Sequence, residues 1–244
     1  MKQLLTPGAL LVCVTCLSLS ALGQSPREDI LSEIKAKRAE LESLEKQFLA
    51  PSDEDLATHS EFLNQKNTGI IRLLPREIYE SDTYKKNPKT MTLRGGGAYY
   101  SFTRLTHEYG YGSDIGLEQN YLSVGFAGAD YGMLTNLGDI PLESITLEHP
   151  ATTFLANYEV PREEPKARVE QRRFATGTNE DGVSYSRRLP VELNRTFLLR
   201  SISYSTADAL VAFRIVRKDT DGSVTIVWKV LKKYAVPELA RHSQ

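Results

Sequence analysis

Cysteine is nearly missing from this 244-residue chain, and the only two, Cys13 and Cys16, stand close to its start. They fall inside a segment that begins Met1-Lys2, continues as an apolar stretch from Ala9 to Leu22 relieved only by small polar residues, and reaches Gly23 before Gln24. A cation, a short apolar run and small residues at the −3 and −1 positions predict a secretory signal peptide cut after Gly23. The run falls short of the roughly 20 apolar residues of a comfortable membrane span. No small residue directly precedes either cysteine, which argues against a lipid anchor at those positions. Cleavage leaves a mature chain without cysteine, which excludes disulfides, thiolate chemistry and cysteine metal sites, so its stability must come from its core.

A surplus of either charge is missing too. Lys and Arg number 30 against 31 Asp and Glu, a formal charge of −1, which speaks against a nucleic-acid binder and against an acidic disordered protein. After the leader, no stretch is long and apolar enough to cross a bilayer. The histidines His59, His107, His149 and His242 are scattered, with no His-x-x-x-His or His-x-His pair, so no metal site is expected. Gly95-Gly96-Gly97 is followed by Ala98-Tyr99-Tyr100-Ser101, not by the Lys and Ser or Thr of a phosphate loop, and no cofactor is implied. A Gly-x-Ser-x-Gly elbow is lacking. So is any internal repeat of solenoid length.

What is present begins with a helix. From Pro26 to Leu49 the apolar residues Ile30, Ile34, Leu41, Leu44 and Phe48 fall at helical spacing with Lys37 in the one missing seam position, and opposite charges alternate between them. Pro26 suits a first turn, and Glu28 and Asp29 favour the positive end of the helix dipole. The stripe invites self-association through residues 28–48 or docking on the protein's own core. Pro51 stops this helix, and Ser52 with Asp53-Glu54-Asp55 starts a second that runs to about Gln65. Ile70 to Leu74 then reads as the first strand.

Between Arg94 and Pro150 lie ten of the 16 glycines and six of the 12 tyrosines. Spaced glycines between short aromatic and β-branched runs predict strands at Ala98–Thr103, Asp114–Glu118, Tyr121–Phe126 and Met133–Leu137. Val160 to Arg188 is charged and poor in aliphatics, and is expected as a long surface hairpin or excursion open to proteolysis. Phe197–Tyr204, Ala209–Arg217 and Val224–Leu231 form three further strands in a meander. Asp219-Thr220-Asp221-Gly222 resembles the start of a calcium loop, but Val224 and Ile226 stand where oxygen ligands would follow, and Asp-Gly between alternating strands predicts a hairpin turn. Val224, Ile226, Trp228 and Val230 share one strand face, the pattern of a sheet packed on one side.

The expected fold is mainly β: an antiparallel β-sandwich or open barrel preceded by one or two N-terminal helices. Its expected divisions are a signal peptide at 1–23, a helical segment at 24–68, one β domain at 69–236 with a charged excursion near 160–188, and a tail at 237–244. The alternative is two small β units split at the excursion. Segment 95–150 carries seven acidic residues against Arg104 alone, together with its six tyrosines. Rigid rings beside carboxylates suit an adhesive surface, and sugars lay C–H faces on rings and give hydroxyl protons to carboxylates.

These features lead to the expectation of an exported, periplasmic or extracellular, non-catalytic protein binding a glycan or another cell-surface component. Tyr99, Tyr100, Tyr109 and Tyr111 would stack, and Asp114 and Asp130 would accept hydrogen bonds. The alternatives are a hydrolase using His107 with Glu108 or Asp114, and an assembly protein acting through its helix. Residues 187–244 hold 11 basic and 5 acidic residues, a surplus that would attract anionic envelope material. Asn194-Arg195-Thr196 is a glycosylation sequon.

Overall fold

The computed structural model describes residues 26–79, 97–107 and 112–240. The signal-peptide segment, Glu108, Tyr109 and Tyr111 lie outside those residues. The chain divides into two units, Met1–Ser43 and Leu44–Gln244. The described part of the first is most of helix α1 (Pro26–Leu49), with Glu28 and Asp29 in its first turn and Lys46 in its last, as dipole compensation favours. Ile30, Ile34 and Leu41 on its apolar stripe are exposed, and Lys37 and Glu33 pair across one turn at 3.8 Å.

The second unit opens with two short helices, α2 (Asp53–Thr58) and α3 (Ser60–Leu63), where one longer helix was expected. Ser52 caps α2, its hydroxyl accepting from Asp55 N–H at 3.1 Å. His59 leaves the helical region at φ −102, ψ 11, and beyond that break Phe62 is buried in the core. Strand β1 (Thr68–Leu73) follows, then the short α4 (Arg76–Tyr79), β2 (Tyr99–Tyr100), β3 (Ile115–Glu118), β4 (Tyr121–Ser123) and β5 (Tyr131–Gly138). Helices α5 (Thr153–Asn157) and α6 (Glu164–Thr176) precede β6 (Thr178–Glu180), β7 (Val183–Tyr185) and β8 (Arg188–Pro190). Three long strands close the sequence: β9 (Thr196–Ser203), β10 (Ala207–Lys218) and β11 (Val224–Lys233).

All pairings are antiparallel. One five-stranded sheet has the order β1-β11-β10-β9-β5, a four-stranded sheet the order β2-β3-β4-β8, and β6-β7 stand as a separate hairpin. Both larger sheets are open, so the fold is not a closed barrel. Tyr100, Ile115, Leu117 and Leu122 of the smaller sheet share one core with Leu199, Phe213, Ile226 and Trp228 of the larger, which makes the pair a sandwich. The expected hairpin turn is formed, with Gly222 N–H reaching Asp219 O at 3.0 Å and Gly222 at φ 88.

Two expectations need correction. The larger sheet is packed on both faces, not one: its second face carries Leu198, Ile202, Leu210, Ala212 and Val227 against Phe62 of α3, Leu155 of α5 and Ala167 and Phe174 of α6. Charge on this side is handled internally. Arg200 is bidentate to Asp208 at 2.7 and 2.8 Å, and its guanidinium lies 3.5 Å from the Tyr234 ring centre. The segment 160–188 does hold a hairpin, β6–β7, but a helix comes before it. Its helix α6 starts with Pro165 in the first turn, is tied by Arg168 to Glu164 across one turn, and ends at Gly177 with φ 85, each a normal device of a helix terminus or face.

Candidate functional site

The residues singled out in segment 95–150 lie mostly inside the sandwich. Tyr99 on β2 is 1% exposed, its ring edge-on to Phe126 at 5.0 Å and its hydroxyl bonded to Glu118. Gly116 on β3 makes that placement feasible, since a Cβ there would come within 2.7 Å of the Tyr99 ring. Tyr100 is buried against Phe102 and His107, with ring centres 5.4 and 5.1 Å away. Burial, aided by the Asp114 charge, pushes its hydroxyl up to about 12. Neither ring has a face to offer an external ligand.

The two aspartates are also structural in their contacts. Asp114 accepts from Phe102 N–H at 2.7 Å, Ser201 Oγ at 2.7 Å and Ser101 Oγ at 3.1 Å. It thereby ties the β2–β3 end of one sheet to β9 of the other. Burial raises its carboxyl while these hydrogen bonds pull the other way. Asp130, before β5, accepts from Tyr204 N–H at 2.9 Å, and burial pushes its carboxyl up to about 6. His107 lies 2.8 Å through Nε2 from the backbone oxygen of Arg72, so that nitrogen donates, and burial lowers the imidazole. Among the described residues no hydrogen bond joins His107 to Asp114. The structure therefore brings Tyr100, His107 and Asp114 into one neighbourhood, while Asp130 stands apart at the β5–β9 end.

Surface grooves lie elsewhere. One, of about 290 Å³, is lined by Ser52, Asp55, Arg72, Arg217, Asp219 and Thr225. Its charges satisfy one another: Arg72 meets Asp219 at 3.0 Å, and Arg217 meets Asp55 at 3.1 Å and Asp219 at 3.3 Å. This network fastens α2 to the β10–β11 hairpin and leaves no carboxylate there for a ligand.

A larger groove, of about 500 Å³, runs between the end of α6, the β6–β7 hairpin and β8, lined by Thr176, Thr178, Asn179, Ser184, Ser186 and Arg188. Local sequence explains its shape. Gly177 at φ 85 ends the helix sharply, and Asp181 and Gly182, both at positive φ (52 and 83), turn the hairpin. Asn179 Oδ1 is held by Gly182 N–H at 3.1 Å and Ser186 Oγ by Arg188 N–H at 3.2 Å, which fixes both side chains along the groove.

At the β8 end stands a cation on an open ring. Arg188 donates through Nη2 to Gln119 Oε1 at 3.0 Å and to the Glu118 carbonyl at 3.3 Å, and its guanidinium carbon lies 4.2 Å from the centre of the Tyr121 ring. Among the described residues no carboxylate pairs with it. Tyr121 on β4 is 40% exposed, the one described tyrosine of segment 95–150 that presents its ring outward. Sequence reasoning counted Tyr121 in the cluster without preferring it, and missed the groove because its walls come from residues 176–189, far along the chain. The available signal was slight: Tyr121 and Leu122 are neighbours in a strand and take opposite sides, but Ser123, on the side of Tyr121, is buried as well.

Among the described residues no cluster of three His, Cys, Asp or Glu side chains has metal-binding geometry, and no helix is long and apolar enough to cross a membrane. Neither a family model, nor a curated protein, nor a solved structure matches this chain.

Proposed function

We propose that this protein is exported and acts without catalysis, binding a glycan or another cell-surface component. The observation that carries this reading is the open groove walled by Thr176, Thr178, Asn179, Ser184 and Ser186, with the exposed Tyr121 ring beside it. Hydroxyls and amides along a shallow trough match the hydroxyls of a sugar chain, and a flat ring matches its C–H face. The recognition surface so proposed differs from the one drawn from sequence, since Tyr99, Tyr100, Asp114 and Asp130 are spent on the interior. His107 and Asp114 have structural partners of their own, which favours binding over hydrolysis.

Sedimentation of the purified protein with insoluble polysaccharides and cell-wall material, at low and high salt, tests the reading. Retention that survives high salt and drops at least about threefold in Tyr121→Ala, in line with the loss of one ring contact, is the expected outcome. Retention that salt abolishes and that Tyr121→Ala leaves unchanged assigns the interaction to the basic residues of 195–244, whose attraction is screened. Absence of retention on every polysaccharide sinks the glycan assignment.

The exposed stripe of α1 favours a second reading, self-association through residues 28–48. Ile30, Ile34, Leu41, Leu44 and Phe48 all stand open to solvent, and a second helix would cover them. Sedimentation velocity should then show a concentration-dependent dimer that Leu41→Lys dissolves. A monomer at all concentrations disposes of it.

A further inference from the structure

Arg188 is held in an unusual way for a surface arginine. Its fixed contacts are neutral oxygens, from the Glu118 carbonyl and the Gln119 side chain, and one face rests on the Tyr121 ring. Glu192, the nearest acidic residue in sequence, pairs with Arg195 at 3.6 Å, and Glu118, whose carbonyl Arg188 meets, turns its carboxylate to Arg76 at 2.9 Å and to the Tyr99 hydroxyl. In the hairpin beside the groove, Glu180 is taken by Arg173 and by Thr178 Oγ1, and Asp181 stands in the turn. The guanidinium thus arrives at the groove oriented, with no carboxylate paired to it among the described residues and with Nε and Nη1 not engaged in those bonds. A planar, pre-oriented guanidinium is suited to a bidentate carboxylate.

Resting on the glycan reading above, we propose that the groove takes a carboxylated polysaccharide, a chain of uronic-acid units. Arg188 receives the sugar carboxylate, the Tyr121 ring backs the guanidinium and offers the part that Arg188 leaves exposed to a C–H face of the sugar, and Asn179 and Ser184 meet ring hydroxyls further along. The site needs no movement of the backbone, because Arg188, opposite Ser123 in the β4–β8 pairing, is the diagonal neighbour of Tyr121 and already lies on its ring. The same geometry predicts discrimination against neutral chains. A sugar without the carboxylate leaves the arginine with its hydration alone and gains only the ring and hydroxyl contacts.

The test compares polygalacturonate with its methyl ester, which keeps the backbone and hydroxyls and removes the charge, by titration calorimetry on the purified protein. Alginate serves as a second uronate. The expected result is binding of an acid form at least about tenfold tighter than the ester, as one charge-assisted bidentate contact supplies. Arg188→Gln should erase that preference while leaving the thermal midpoint unchanged, because Arg188 is exposed. Arg188→Lys should restore part of it, keeping the charge without the fork. Equal affinity for acid and ester overturns the uronate assignment and leaves the glycan reading standing. An acid preference that survives Arg188→Gln also overturns it, and places the attraction on the basic C-terminal residues. Loss of binding to every polysaccharide, neutral ones included, overturns both.

Discussion

At the scale of single residues, the buried acids of this protein work against its stability at neutral pH. Asp130 has one hydrogen-bond donor, Tyr204 N–H, and a carboxyl pushed up to about 6 by burial. In the unfolded chain the same group titrates near 4. The folded state therefore holds its proton more tightly, so stability is gained as pH falls from about 7 through 6 and is lost as the carboxylate ionises again. Linkage makes this worth about 2 kcal/mol between pH 7.5 and 4.5. Asp114 acts in the same direction, so the Asp130 part has to be isolated by difference. Urea denaturation of wild type and Asp130→Asn at both pH values should show their stability gap shifting by about 2 kcal/mol, with the variant relatively better at pH 7.5. A gap that stays constant would falsify the assignment of a raised carboxyl to Asp130.

Composition revealed these residues but gave the wrong side of the sheet for them. Tyrosine has high strand propensity and is equally at home in a wet or a dry face. The alternation that decides between the two is unreadable in a two-residue strand such as Tyr99–Tyr100, where both rings are buried. Tyr121 stands in a strand of three residues whose burial does not alternate either, since Leu122 and Ser123 are both buried beside it.

At the scale of elements, α6 shows how a helix escapes notice when its face is narrow. Only Ala167 and Phe174, seven residues apart, are buried among its 13. Everything between them is charged or polar apart from Val169, so the apolar periodicity is two points. The termini were informative, with Pro165 in the first turn and Gly177 just past the end. Phe174 bears most of the docking: its ring stacks on Tyr131 with centres 6.1 Å apart and meets Tyr158 edge-on at 5.9 Å. Truncating Phe174 to Ala should cost about 3–5 kcal/mol in urea denaturation and open residues 160–188 to limited proteolysis. A variant cleaved no faster than wild type would mean that the helix is held by its polar contacts to Gly128 and Asp130 instead.

The long C-terminal strands were legible because they alternate over many residues and are joined by an Asp-Gly turn. Their second buried face was written in β9, where Phe197-Leu198-Leu199 interrupts the alternation with three apolar residues in a row, and all eight residues of the strand are buried. A strand covered on both faces carries apolar residues on each, and the polar ones of β9, such as Arg200 and Ser201, are bonded inside.

For the whole molecule, the five-stranded sheet is the common wall of two cores. Leu199, Val211 and Phe213 face one core while Leu198, Leu210 and Ala212 face the other. Neither core can melt without stripping one face of the same strands. The unit Leu44–Gln244 should unfold in one cooperative step, and two probes check this. The single tryptophan, Trp228, reports the core between the sheets, and far-UV circular dichroism reports all strands. The two urea curves are expected to coincide. Separate midpoints would show that the helix-covered core melts on its own. The mainly antiparallel fold was readable from turn spacing and alternation. The packing order, smaller sheet on larger sheet on helices, was not, because it depends on which of two apolar faces meets which partner.

The larger sheet ends at β1, and Asn67 O receives Val230 N–H, so the alternate residues Thr68, Ile70 and Arg72 turn their backbone groups away from β11. On that side the carbonyl of Arg72 is met by the His107 ring. A side chain on a strand-edge carbonyl occupies a point where a foreign strand would otherwise bond, and unprotected edges are how β proteins pass from solution into aggregates and fibrils. His107, the residue on which the alternative hydrolase reading rested, thus covers one point of the exposed edge at which a second copy of the protein would have to bond.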